Sequence, residues 1–126
     1  MMIWSSRGIG RPAFPYTSND KIKTAGGLCA ALCLVLPEFE RVGHVVRKST
    51  SAGISRSDTD EQFTGSNGRH VYILETDGVD TQRFLRILYK RCWLHGFGWM
   101  TVWRSGQMLE RSLVDRMVYA SERLVF

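Results

Sequence analysis

Residues 48–74 read KSTSAGISRSDTDEQFTGSNGRHVYIL, and the fold is decided by how this stretch is read. It opens on a basic, hydroxyl-rich segment, Arg47-Lys48-Ser49-Thr50-Ser51, and continues as a long polar loop. Gly65-Ser66-Asn67-Gly68 then turns the chain into a strand that begins Arg69-His70. Strand alternation puts Val71 and Ile73 on one face and His70, Tyr72 and Leu74 on the other. An imidazole therefore stands at the start of a strand, beside the free amides of a glycine turn, with cations close in sequence. That grouping suits an anionic ligand, above all the phosphates of a nucleotide. A surface hairpin carrying an ordinary exposed histidine is the plainer account of the same residues.

The 126 residues make one domain, large enough to bury a core without staples. A 44% hydrophobic and 23% charged composition belongs to a globular chain, which excludes a disordered one. The net charge of +5 favours an anionic partner such as nucleic acid or nucleotide. Three cysteines, with Cys29 and Cys33 in an apolar run, point to a reduced, cytoplasmic setting. The longest apolar run, Leu28 to Leu36, is about half the ~20 residues that a spanning helix needs, so no membrane partner is expected.

Along the chain, residues 1–23 carry Gly8, Gly10, Pro12 and Pro15 with no sustained period and read as loop or poorly ordered. Thr24 to Leu36 reads as a short buried helix stopped by Pro37. Cys29 and Cys33 lie one turn apart on it and read as core rather than metal ligands. Val42 to Lys48 reads as a strand, with His44 a packed or edge residue. Asp58-Thr59-Asp60 has the letters of a metal motif but reads as a solvated acidic loop.

After the His70 strand, Asp77-Gly78 predicts a turn and Asp80 an N-cap. Thr81 to about His95 is the clearest helix, with Phe84, Leu85, Leu88 and Cys92 on its apolar stripe and Gly96 at its C′ position. Arg83, Arg86 and Lys90 share another face, which would lie on phosphates or simply in solvent. Gly98 to Arg104 alternates as a strand with Trp99, Thr101 and Trp103 on one side. Residues 107–118 fit either a helix or a short buried strand. The apolar Leu124-Val125-Phe126 reads as the end of a cut domain.

These elements have a familiar order. A basic strand with Lys48-Ser49 is followed by Gly65-Ser66-Asn67-Gly68-Arg69-His70-Val71-Tyr72, a helix, a strand, and Glu110-Arg111-Ser112-Leu113-Val114-Asp115. The order resembles the archaeo-eukaryotic primase superfamily, most nearly the primase-polymerases of phages and plasmids and the polymerase domain of bacterial end-joining ligases. The resemblance covers roughly residues 35–126 and implies an α/β (α+β) fold. The palm would be partial: an RRM-like antiparallel or mixed sheet of 42–48, 69–74 and 98–103, with helices on one face, over residues 24–126. It implies a nucleotide site of Lys48, Ser49, Ser66, Gly68 and His70, with His70 and Asp115 catalytic and Asp115 a ligand of Mg²⁺ or Mn²⁺. Arg47, Arg69, Arg83, Arg86 and Lys90 would hold the DNA or RNA strand.

The sequence departs from that family at one point. Residues 1–36 contain a single acid, Asp20, and no Asp-x-Asp, whereas two-metal phosphoryl transfer needs several carboxylates on one surface. The expectation is a primase-polymerase-like domain of a mobile element that binds nucleotide or nucleic acid in DNA replication and is catalytically incomplete. A non-catalytic single-strand-binding module with Trp99, Trp103 and Tyr72 as stacking platforms is the alternative. A small protein that acts by binding another protein is a third reading, and it would need only an exposed apolar patch.

Overall fold

The computed structural model describes residues 2–5, 11–12, 18–49, 55–60, 68–74 and 76–119. Their order is β1 (Met2–Ser5), β2 (Arg11–Pro12), α1 (Ser18–Thr24), α2 (Leu28–Val35), a 3₁₀ turn at Pro37–Arg41, β3 (His44–Lys48) and β4 (Arg69–Ile73). A second 3₁₀ turn at Gly78–Asp80 leads into α3 (Thr81–Leu94), β5 (Gly98–Val102) and β6 (Met108–Ser112). The mixed α/β character expected from sequence holds. No helix among the described residues is long and apolar enough to cross a membrane.

The single sheet expected from sequence is instead two antiparallel sheets, ordered β1-β4-β3 and β2-β5-β6. The reason is edge occupancy. β4 is paired on both sides, by β1 with Ile3 opposite Val71 and by β3 with Val46 opposite Val71. No edge of β4 is left for β5, which turns back on β6 through a hairpin with Val102 opposite Met108. Trp103 N–H donates to Gln107 O at 2.8 Å across that turn, and Gly106 sits at φ +81°, where a side chain would be strained. Of residues 107–118, Met108–Ser112 form a largely exposed strand, while 113–118 bend and turn rather than form a helix or a buried strand. The expectation of loop over residues 1–23 also gives way, since this segment supplies β1, β2 and most of α1.

Gly26 and Gly27 break the helix expected over 24–36. Gly26, at φ +92°, ends α1: its N–H donates to Lys23 O at 2.9 Å and Gly27 N–H donates to Ile22 O at 2.8 Å. This is the paired closure of a Schellman end. α3 closes the same way. Gly96 N–H reaches Trp93 O at 3.0 Å and Phe97 N–H reaches Cys92 O at 2.8 Å, as the sequence led one to expect of Gly96. Lys21 Nζ donates to Gly96 O at 2.7 Å, so a cation from α1 sits on the electronegative end of α3. The start of α3 differs from expectation: the Asp80 side chain makes no cap bond, and Asp77 Oδ1 accepts from Val79 N–H at 3.0 Å instead.

One core joins both sheets. Ala31, Leu32, Val35 and Phe39 meet Val71 of the first sheet and Leu85, Leu88, Tyr89 and Cys92 of α3, with Phe97 just before β5 and Leu113 and Val114 just after β6. Cys29 and Cys33 pack at its edge, as their apolar setting predicts. Val71 is fully buried and Ile73 packs on the core, while Val45 stays 65% exposed, as alternation along β3 and β4 requires.

Candidate functional site

The β3–β4 register brings Lys48 and Ser49 alongside Gly68, Arg69 and His70 at one end of the strand pair, on two faces of the sheet. Lys48 stands opposite Arg69, Arg47 stands opposite His70, and Ser49 N–H donates to Gly68 O at 2.9 Å. Residues opposite one another in an antiparallel pair project to the same face, with Cβ atoms about 4.5–5.5 Å apart. Lys48 and Arg69 therefore share one face and Arg47 and His70 the other. All three cations are exposed, whereas Ser49, Gly68 and His70 are buried. Ser66, the remaining member of the expected site, lies outside the described residues.

Alternation puts His70 on the face away from Val71, yet it is only 7% exposed. β1 runs along the far edge of β4 and brings Trp4 into register with His70, so the imidazole lies on a central strand and not at an edge. Tyr72 meets its ring edge-on, with centroids 6.3 Å apart. Burial first, and then the neighbouring Arg47 charge, hold the His70 pKa below its ordinary value. At neutral pH the group is a neutral imidazole, able to donate or accept a hydrogen bond but carrying no charge.

His44 is a packing residue. It stacks on Phe39 with centroids 4.3 Å apart, and its Nδ1 lies 2.9 Å from Val42 O.

The expected acids are dispersed. Asp115 follows β6 of the second sheet, and its Oδ1 accepts from Met117 N–H at 2.9 Å, whereas His70 belongs to the first sheet. Arg56 clamps Asp58 through two bonds of 3.1 Å and lowers its pKa. Among the described residues no three His, Cys, Asp or Glu side chains gather closely enough to hold a metal ion. The described residues alone therefore do not gather a donor set for the Mg²⁺ or Mn²⁺ pair that the primase resemblance implies.

The basic face of α3 divides. Arg83 Nε donates to Asp80 Oδ1 at 2.7 Å, which lowers the Asp80 pKa and raises that of Arg83. Arg86 and Lys90 face a separate cleft together with Tyr89, Arg116 and Tyr119. Sequence reasoning passed over these last three, although Tyr89 lies three residues after Arg86 and so on the same helix face. The aromatic platform proposed for stacking is split: Tyr72 lies in the first sheet and Trp99 in the second.

Comparison with protein-family models, with curated proteins and with solved structures gave no match to this chain.

Proposed function

We propose that this chain binds nucleotides or single-stranded DNA or RNA through their phosphates, as a primase-polymerase-like domain without the acids for its own catalysis. One observation carries the reading: a like-charge cross-strand pair, Lys48 opposite Arg69, with a cation–imidazole pair, Arg47 opposite His70, on the other face. Like charges directly opposite on a sheet oppose folding. Among the described residues the only ion pairs are Arg56–Asp58 and Arg83–Asp80, so no carboxylate there relieves the strand end. A phosphate seated over the Lys48 and Arg69 side chains would remove the repulsion and accept hydrogen bonds from both cations.

The test is fluorescence anisotropy of a labelled oligonucleotide, titrated with the protein over a range of ionic strength. Affinity should fall linearly on a log–log plot as salt rises, because Lys and Arg contacts displace condensed counterions. Lys48→Ala and Arg69→Ala should each lower both the affinity and the slope. Binding that is indifferent to salt, or unchanged in both variants, would remove the proposal.

A further inference from the structure

α3 and the segment after β6 form a cleft of about 350 Å³, lined by Arg86, Tyr89, Lys90, Arg116, Met117 and Tyr119. Arg86, Tyr89 and Lys90 come from α3 at spacings of three and four residues, which put them on one face of the helix. The opposite wall is fixed at three points. Asp115 Oδ1 accepts Met117 N–H at 2.9 Å and sets the turn. The Arg116 guanidinium lies over the Tyr89 ring, 4.9 Å from its centroid. The Tyr119 hydroxyl accepts from Gln82 Nε2 at 2.8 Å and ties the wall back to α3.

Among the described residues that line it three are cations, Arg86, Lys90 and Arg116, and none is a carboxylate. Neither ion pair among the described residues involves Arg86, Lys90 or Arg116. A concave surface with one sign of charge concentrates the field and draws in the opposite charge. Three cations around one hollow match a dianion better than a single carboxylate. The remaining lining is flat or soft: Tyr119 is 36% exposed and Met117 43% exposed, and both present open surface to a planar group. The volume lies at the small end of ligand pockets, which run from roughly 300 to 1,000 Å³. It has room for one nucleoside monophosphate and not for a folded peptide or several stacked bases.

We infer that this cleft is a second anion site, one that takes a phosphomonoester borne on a nucleoside. Arg86, Lys90 and Arg116 hold the phosphate, and the ring lies against Tyr119. The site shares no residue with the β3–β4 end and stands whether or not that end binds a strand.

Calorimetric titration of the full chain with adenosine 5′-monophosphate, inorganic phosphate and adenosine tests it. The nucleotide should bind, phosphate should bind more weakly, and adenosine should bind weakest of the three. Arg86→Gln with Lys90→Gln, both exposed and so tolerated by the fold, should weaken the nucleotide roughly tenfold or more, the scale of lost charge-assisted hydrogen bonds. The titrations are run in the Lys48→Ala/Arg69→Ala background, which disables the β3–β4 end and so reads this cleft alone, and there Tyr119→Ala should weaken the nucleotide but not phosphate. Competition by a 5′-phosphorylated oligonucleotide, but not its 5′-hydroxyl form, would place the phosphomonoester at a strand terminus; no competition by either would make it a free nucleotide. Equal affinity for nucleotide and phosphate, or retention of nucleotide binding in the Arg86/Lys90 variant, would overturn the assignment.

Discussion

Replacing Lys48 by Glu should make the unliganded protein more stable and the ligand weaker. Lys48 and Arg69 are directly opposite on β3 and β4 and both are exposed. The substitution turns a repulsive cross-strand pair into an attractive one. Cross-strand charge pairs are worth roughly 0.2–1 kcal/mol, and solvent exposure keeps this pair toward the lower half of that range. A gain of about 0.5 kcal/mol corresponds to a rise in Tm of about 2 °C for a domain of this size. Binding moves the other way. Each phosphate contact to a single strand contributes a salt slope of about −0.7, or about fivefold in affinity near 0.1 M salt. Losing one contact and adding one repulsion should therefore cost roughly twenty-fivefold. The double variant Lys48→Glu with Arg69→Glu restores like charges, so its stability should return toward the parent while binding remains lost. Thermal unfolding at low and high salt, alongside anisotropy, reads both quantities. A single variant that lowers Tm, or a double variant that keeps the gain, would refute the reasoning.

Three other outcomes follow from the packing and titration of single residues. The folded-state pKa of His70 lies below its ordinary value of 6.5, so the fold favours the neutral ring; that contribution is present above about pH 6.5 and is lost as pH falls through the lower folded value. Denaturant unfolding of His70→Gln should show a shallower loss of stability between neutral and acid pH, and an unchanged slope would contradict the assignment. A Cβ at Gly98 would fall 2.1 Å from the Trp93 ring, so Gly98→Ala should cost about 1–3 kcal/mol in thermal unfolding, as overpacking does; no loss would show that the indole is free to move. The Cys92 thiol is fully buried and pushed up to about 11, chiefly by desolvation. Iodoacetamide at mildly alkaline pH should therefore modify it only as fast as the protein opens, read peptide by peptide by mass spectrometry.

What the sequence shows clearly is local. Phe84, Leu85, Leu88 and Cys92, with Gly96 after them, define α3 almost to its ends, because an apolar stripe and a left-handed closing residue act within a few positions of one another. Val71 is recognisable as core through alternation alone. The missing parts depend on partners distant in sequence. β1 lies in a glycine- and proline-rich segment without period, and only its pairing with β4 makes it a strand, which in turn buries His70. Asp77 caps a 3₁₀ turn that runs straight into α3, so Asp80 already has helical backbone and its carboxylate goes to Arg83, an arrangement invisible in a capping rule. Gly26-Gly27 and Ser105-Gly106 were legible as breaks. The apolar run around the first and the mixed period around the second hid them. The cleft that gathers Arg116 and Tyr119 against α3 has no signature in either segment, since it exists only where the two meet.

The acids of this chain also bear on whether it catalyses anything. Phosphoryl transfer is almost wholly positioning and charge neutralisation, so a polymerase site needs carboxylates that are unoccupied and convergent. Among the described residues, four aspartates are occupied and scattered: Asp58 is clamped by Arg56 in the loop, Asp77 caps the 3₁₀ turn before α3, Asp80 holds Arg83, and Asp115 accepts Met117 N–H after β6. Each of these four already stabilises its own turn, and recruiting it to an ion would dismantle that turn. His70, neutral and buried beside Arg47, supplies no negative charge to replace them. These 126 residues should therefore add no nucleotide to a primed template with Mg²⁺ or Mn²⁺, even under conditions where oligonucleotide binding is saturated. Primer extension above background that disappears in Asp115→Asn would show that Asp115 leaves its turn to hold a metal, and the reading of this chain as a binding domain would fall.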